Sequence, residues 1–184
     1  MRSTLQITVF GGLVLTAVIL AACSIPLSRH PVGNSSVPQP KKVVDLQLYL
    51  GRWFEIARYE QSFQKDCEGV TADYSLRADG SIDVINRCRK PNNKLSEARG
   101  RAKLVDRQTN TKLKVSFFGP FYGDYWVLDH DDSYRWAIVG EPSGRYLWLL
   151  HRDATPPEVE VQELVGHARD LGYQTSMLRR TKQP

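Results

Sequence analysis

The chain of 184 residues lacks an apolar run long enough to span a bilayer comfortably: its longest, Ile7 to Leu20, has 14 residues, where a spanning helix needs about 20. It also lacks a block of one charge. The formal net charge is +5, but Lys and Arg are scattered, whereas a nucleic-acid binder carries them as a stripe. This reads as a solvated surface with a slight attraction to anionic lipid headgroups. Histidine is scarce, with four residues at 30, 130, 151 and 167, none at zinc-type spacing. There is no G-x-S-x-G elbow before a helix and no phosphate-binding glycine loop. No catalytic residue, metal site or cofactor is therefore expected. Asp129, Asp131 and Asp132 lack the rest of a calcium loop and read as a solvated turn. What remains is 41% hydrophobic and 24% charged, an ordinary globular balance for one domain with short appendages.

Cysteine is equally scarce, with three residues, an odd number for an exported protein. Export is indicated by Arg2, the apolar run, and then Leu20-Ala21-Ala22-Cys23, with small residues where a signal peptidase cleaves. That ending resembles the bacterial lipobox, whose cysteine is diacylated and becomes the first mature residue; a plain secretory signal with an incidental thiol is the alternative. On the lipobox reading, residues 1–22 are a signal peptide and Cys23 is the lipidated N-terminus. Ser24 follows it, and an Asp there would favour the inner membrane, so the outer membrane is expected, with the domain on its periplasmic face. Cys67 and Cys88 are left as an even pair in an oxidising compartment and are predicted to form a disulfide. No histidine lies near either to complete a metal site. Closing a loop of about 20 residues contributes roughly 3 kcal/mol in the chain-entropy account. Residues 23–42, with Pro26, Pro31, Pro38 and Pro40, read as a flexible lipidated tether. At ~3.1 Å per residue it would reach about 65 Å from a membrane.

From Val43 onward the pattern is repeatedly of period two. Strands are predicted at Trp53 to Glu60, Val70 to Leu76, Ile82 to Cys88, Ala98 to Leu104, Leu113 to Phe117, Tyr125 to Asp129, Arg135 to Gly140 and Arg145 to His151. Asp79-Gly80 supplies a tight hairpin and Glu141-Pro142-Ser143-Gly144 another turn. Thr155 is placed to cap a helix in which Val159, Leu164, Val165, Ala168 and Leu171 recur at helical spacing until Gly172. Thr175 to Thr181 would add a last short strand. The predicted fold of residues 43–184 is all-β: an eight-stranded antiparallel up-and-down barrel with one C-terminal α-helix packed outside. Closure removes the exposed edges, and a sandwich is the alternative.

Three stretches fall at telling places in this pattern. Gly51-Arg52-Trp53 opens the first strand, Leu128 to Arg135 spans a turn between two later strands, and Arg152 closes the eighth. In this order they resemble the three signatures of the lipocalin family, although acidic residues replace the usual Thr-Asp-Tyr core of the second. Phe118 to Tyr125 resembles the bacterial outer-membrane branch of that family, relatives of apolipoprotein D. The resemblance spans residues 43–184. It implies a lipocalin barrel in which Gly51, Trp53 and Arg152 are a structural plug at the closed end, the guanidinium lying across the indole. It also implies a cavity for an apolar ligand. Some lipocalin relatives are enzymes, one using a free cysteine inside the barrel, and a Cys67–Cys88 bond removes that nucleophile; a binding protein is expected, not an enzyme.

With Trp53 inward, period two turns Glu55, Ala57 and Tyr59 inward as well and Phe54 and Ile56 toward the helix. The same alternation puts Ala72, Tyr74, Ala98, Gly100, Ala102, Val115, Phe117, Tyr125, Val127, Tyr146 and Trp148 inside. Such residues either fill the barrel or line a pocket. The small residues Ala98, Gly100 and Ala102 favour a pocket that admits an alkyl chain, with tyrosine hydroxyls at the mouth selecting the headgroup weakly. The expected function is binding, storage or transport of a single-chain lipid, a fatty acid or lysophospholipid, at the outer membrane, in envelope maintenance or stress. The alternative is a structural envelope lipoprotein whose cavity is incidental. Besides the ligand, the expected partner is the membrane through the N-terminal anchor, with no nucleic acid; apolar surface near the mouth permits a homodimer.

Overall fold

Eight strands follow one another around a closed sheet in the computed structural model, which describes residues 33–34 and 36–184. They are β1 (Gly51–Tyr59), β2 (Glu68–Leu76), β3 (Ile82–Arg89), β4 (Leu95–Leu104), β5 (Lys112–Phe118), β6 (Phe121–His130), β7 (Trp136–Gly140) and β8 (Leu147–His151). Each pairs antiparallel with the next. β1 pairs with β8 along one edge and with β2 along the other, so the sheet closes. The barrel is thereby established over the sandwich. A short helix, α1 (Leu46–Tyr49), precedes β1, and the long helix α2 (Glu158–Asp170) follows β8. The first part of the predicted last strand is a 3-10 turn, Thr175–Met177; its remainder, β9 (Leu178–Arg180), pairs with β1 beyond the point where β2 leaves it. Gly80 takes φ 77° in the Arg77–Ser81 hairpin, the left-handed conformation that the Asp-Gly pair supplies.

The up-and-down order sorts the connections by end. Those after β1, β3, β5 and β7 ring one end, which is open. Those after β2, β4 and β6 ring the other, which α1 stoppers. Around this frame the buried residues form two layers. Trp53, Tyr74, Ile82, Val84, Ala102, Leu113, Val127, Ala137, Val139 and Leu150 pack inside the barrel. Ala57, Tyr59, Leu128, Ile138, Leu147 and Leu149 pack outside against Leu164 and Ala168 of α2 and Tyr173 beyond it.

Ala57 and Tyr59 therefore face outward, which corrects the inward placement read from alternation. The cause is a bulge: Glu55 pairs with Leu150 but Ala57 with Leu149, so one residue of β1 has no partner and the inside–outside order reverses. The layer under the helix accordingly contains Ala57 and Tyr59 in place of Phe54 and Ile56.

α2 differs in detail from its prediction. Its N-cap is Pro157, with no side-chain capping bond, so Thr155 does not cap it. Val161, not Val159, is the first buried apolar residue; Val159 is exposed. Glu158 and Glu160 in the first turn and His167 and Arg169 in the last complement the helix dipole instead. In the acidic turn, Asp129 is buried, accepting from the His130 amide and pairing with Lys41, so it is not part of a solvated turn.

The signal peptide and Cys23 lie outside the described residues. The last part of the expected tether does not: it is docked on the barrel. Gly33 accepts from the Gln174 amide at 2.7 Å and from the Tyr59 hydroxyl. The Asn34 amide donates to the Leu171 carbonyl, and the Lys41 N–H donates to the Leu128 carbonyl. These paired backbone groups shorten any free tether to the residues before Gly33, about 30 Å at ~3.1 Å per residue.

Candidate functional site

The closed end is built around Trp53, which has no solvent exposure. Its indole N–H donates to the Tyr49 carbonyl at 2.8 Å, and the Arg152 guanidinium lies 3.7 Å above its ring. Arg152 also donates to the carbonyls of Arg52 (2.6 Å), Leu48 (2.7 Å), Tyr49 (3.2 Å) and Leu50 (3.0 Å), neutralising the C-terminal end of α1. Gly51 adopts φ +92° directly beneath the guanidinium, a backbone conformation that a side chain would strain. Gly51, Trp53 and Arg152 are thus brought together, and none of them lines the cavity.

Above the plug a cavity of about 710 Å³ opens between the loops of the other end, within the ~300–1,000 Å³ of small-molecule sites. Nine of the residues that alternation turned inward line it: Glu55 of β1, Ala72 and Tyr74 of β2, Ala98 of β4, Val115 and Phe117 of β5, Tyr125 of β6, Tyr146 beside β8, and Trp148. The others do not. Ala57 and Tyr59 face α2, as described. Ala102 and Val127 point inward but are packed in the solid base of the barrel, each 1% exposed. Gly100 is covered by its neighbour: a Cβ there would meet the Ser116 carbonyl at 2.7 Å and the Phe117 ring at 2.8 Å.

The floor is polar in one line only. The Tyr49 and Tyr125 hydroxyls are 2.6 Å apart, and those of Tyr125 and Tyr74 are 2.8 Å apart. Two hydrogen bonds occupy two of three phenolic protons. The third is unclaimed by the protein among the described residues. Burial pushes Tyr74 up to about 12 and Tyr49 and Tyr125 well above the usual phenol value, so all three are neutral at physiological pH. Tyr74 and Tyr125 thus place their hydroxyls at the floor, not at the mouth. At the mouth Tyr146 packs on Phe63 with ring centroids 5.8 Å apart.

Sequence reasoning turned Glu55 inward but missed Arg58, Phe63 and Gln64, which build one wall around it. Glu55, 2% exposed and lining the cavity, pairs with the fully buried Arg58 at 2.7 Å. Arg58 also donates to Thr181, to Glu60 and to the carbonyls of Gln64 and Cys67. Burial pulls its guanidinium down, and Glu55 and Glu60 more than offset this, leaving it above its ordinary value. Gln64 donates to Glu55 and accepts from the Trp148 indole N–H at 3.1 Å. This network fixes the Trp148 ring in the cavity wall. Phe63 and Gln64 sit in an aperiodic loop, where the only sequence signal was an isolated Phe among polar residues. The Cys67–Cys88 disulfide, with Cα atoms 5.4 Å apart, ties that loop to the end of β3 and forms part of the same wall.

Among the described residues no group of three or more His, Cys, Asp or Glu is gathered as a metal site. The arrangement offers a largely apolar volume, open at one end, with a phenol floor and one fixed indole.

The profile of the lipocalin-like domain matches residues 44–183. The chain belongs to the lipocalin family. Its relatives include the outer membrane lipoprotein Blc of Escherichia coli K12, 40% identical over 169 residues, 91% of this chain and 92% of that one. The Blc protein of Vibrio cholerae is 37% identical over 166 residues, 89% and 96% of the two chains. By fold, insecticyanin from the tobacco hornworm Manduca sexta superposes with a TM-score of 0.65 at 18% identity, covering 81% of this chain and 85% of its own. Lipocalins bind and transport small hydrophobic molecules, and this lipocalin has the cavity for one.

Proposed function

We propose that the protein holds one long acyl chain, of a fatty acid or a lysophospholipid, in the barrel cavity while Cys23 anchors it in the outer membrane. The observation that carries this reading is the cavity itself: deep, open at one end, and walled by Ala72, Val115, Phe117 and Trp148 with a single line of hydroxyls at the floor. About 14 methylenes buried at ~0.8 kcal/mol each give roughly 11 kcal/mol gross. Association and chain ordering cost about 4 kcal/mol or more, leaving binding in the micromolar range without an ion pair. The spare phenolic proton gives a weak preference for a ligand that brings an oxygen to the floor.

Anchoring is supported by the Leu20-Ala21-Ala22-Cys23 ending with Ser24 after it and by relatives that are themselves outer membrane lipoproteins. Storage or delivery of such a lipid in envelope maintenance is the role this arrangement serves. The test is to purify the full chain from cells in mild detergent and identify what it retains by native mass spectrometry. One single-chain lipid per barrel is expected. A barrel that emerges empty, or that retains only detergent, would leave the cavity incidental and contradict the proposal.

A further inference from the structure

We propose that the open end of the barrel docks on an anionic phospholipid surface, so that the cavity mouth faces the bilayer that supplies or receives its ligand. This rests on the lipid-anchored reading above and adds an orientation to it. Three independent observations point the same way.

The first is where aromatic rings are exposed. Phe118 and Phe121, at the tip of the hairpin between β5 and β6, are 81% and 78% exposed, and Phe63 on the loop after β1 is 65% exposed. Every exposed large aromatic among the described residues lies at this end, Tyr122 being the fourth. At the closed end the exposed apolar residues, Val43, Leu48, Leu76 and Val105, are aliphatic. Aromatic side chains on loop tips suit the headgroup layer, where an apolar ring can be buried without inserting backbone.

The second is charge. The loop between β3 and β4, next to that hairpin in the strand order, carries Lys90 and Lys94, with Arg89 at the end of β3 before it and no acidic residue among them. Lys90 Nζ donates to the Lys65 carbonyl of the β1–β2 loop at 2.6 Å, and the Glu60 and Glu68 carboxylates that flank that loop are paired with Arg179. At the opposite end, Asp131 and Asp132 of the turn after β6 are paired with Arg135 and Lys42. Cations on one side of the mouth draw that end toward the field of an anionic leaflet.

The third is the exit of the chain. Gly33 is held against Tyr59, the last residue of β1 and hence at the open end. From there the chain descends the outer wall to the closed end, where the Val44 N–H donates to the Thr109 carbonyl. Only nine residues lie between Cys23 and Gly33, a span of at most about 36 Å fully extended. The anchor thus departs beside the mouth, and mouth-down is the orientation that leaves it slack.

The test uses the mature lipidated chain reconstituted into phosphatidylethanolamine vesicles containing phosphatidylglycerol. Phe121→Trp reports the rim and Leu76→Trp the closed end, each read after subtraction of the parent's four tryptophans. With phospholipids brominated near the headgroup, Phe121→Trp emission is expected to shift to the blue and fall at least twofold, Leu76→Trp to stay unchanged, and the effect to weaken when Lys90 and Lys94 are both changed to Gln. No quenching of Phe121→Trp, or equal quenching of both reporters, overturns the docking. So does a blue shift that appears equally in detergent together with a dimer in sedimentation, which would make the rim an interface between two copies. Vesicle flotation reads the anchor separately. Variants that float without quenching refute the orientation alone, and a chain that does not float refutes the anchor and the docking with it.

Discussion

At the scale of single residues, stability at the closed end depends on Arg152 more than on any apolar contact there. Its guanidinium covers Trp53 and serves five backbone carbonyls, those of Tyr134, Arg52, Leu48, Tyr49 and Leu50. A cation–π contact contributes about 0.5–2 kcal/mol, and each buried carbonyl left without a donor costs about 1–3 kcal/mol. Arg152→Ala is expected to lose about 3 kcal/mol or more in urea unfolding while lipid affinity stays unchanged, because Arg152 does not line the cavity. Tyr74 gives a second residue-scale expectation. Its folded pKa of about 12 lies above the ordinary phenol value of 10, so the neutral form is favoured by folding. The stability linked to it is fully present below pH 10 and is lost between about pH 10 and 12 as the unfolded chain ionises. The slope is about 1.4 kcal/mol per pH unit for one such tyrosine. Tyr74→Phe should make the alkaline fall in unfolding free energy shallower by about that amount, and an unchanged slope would show that Tyr74 is not held neutral.

At the scale of elements, the bulge in β1 decides which side of the strand serves the cavity and which serves α2. Ala57 is fully buried between barrel wall and helix. Ala57→Trp is therefore expected to cost about 2 kcal/mol or more by overpacking, with lipid affinity preserved. A loss of binding without loss of stability would put Ala57 back inside the barrel. The disulfide belongs to this scale too: Cys67→Ser with Cys88→Ser should cost roughly 3 kcal/mol and loosen the wall that carries Gln64 and Trp148. The strands themselves were legible in the sequence, because one-sided burial forces period two and Asp-Gly forces the hairpin after β2. The plug was legible through Gly51, Trp53 and Arg152. Ala57 and Tyr59 were not, since a one-residue bulge leaves hydrophobicity unaltered while reversing every later side chain. Alternation also assigns a side but no depth, so Ala102 in the packed base looked the same as Ala98 and Ala72 in the cavity. The Glu55–Arg58–Gln64 wall depends on a loop folding back over the mouth, which no periodicity announces.

At the scale of the whole molecule, the barrel divides into a solid lower half and a hollow upper half, and the central claim is that the hollow half takes one acyl chain. The most direct measurement pairs two substitutions to the same residue: titration of the delipidated protein with a long-chain fatty acid, followed by Trp148 fluorescence, together with urea unfolding. Wild type should saturate at one ligand per barrel with micromolar affinity. Ala72→Trp, which places volume into the cavity, should abolish binding with stability changed by less than about 1.5 kcal/mol. Ala102→Trp, which places the same volume into the packed base, should cost about 1–3 kcal/mol or more. Failure of the wild type to bind, or full affinity in Ala72→Trp, would contradict the account.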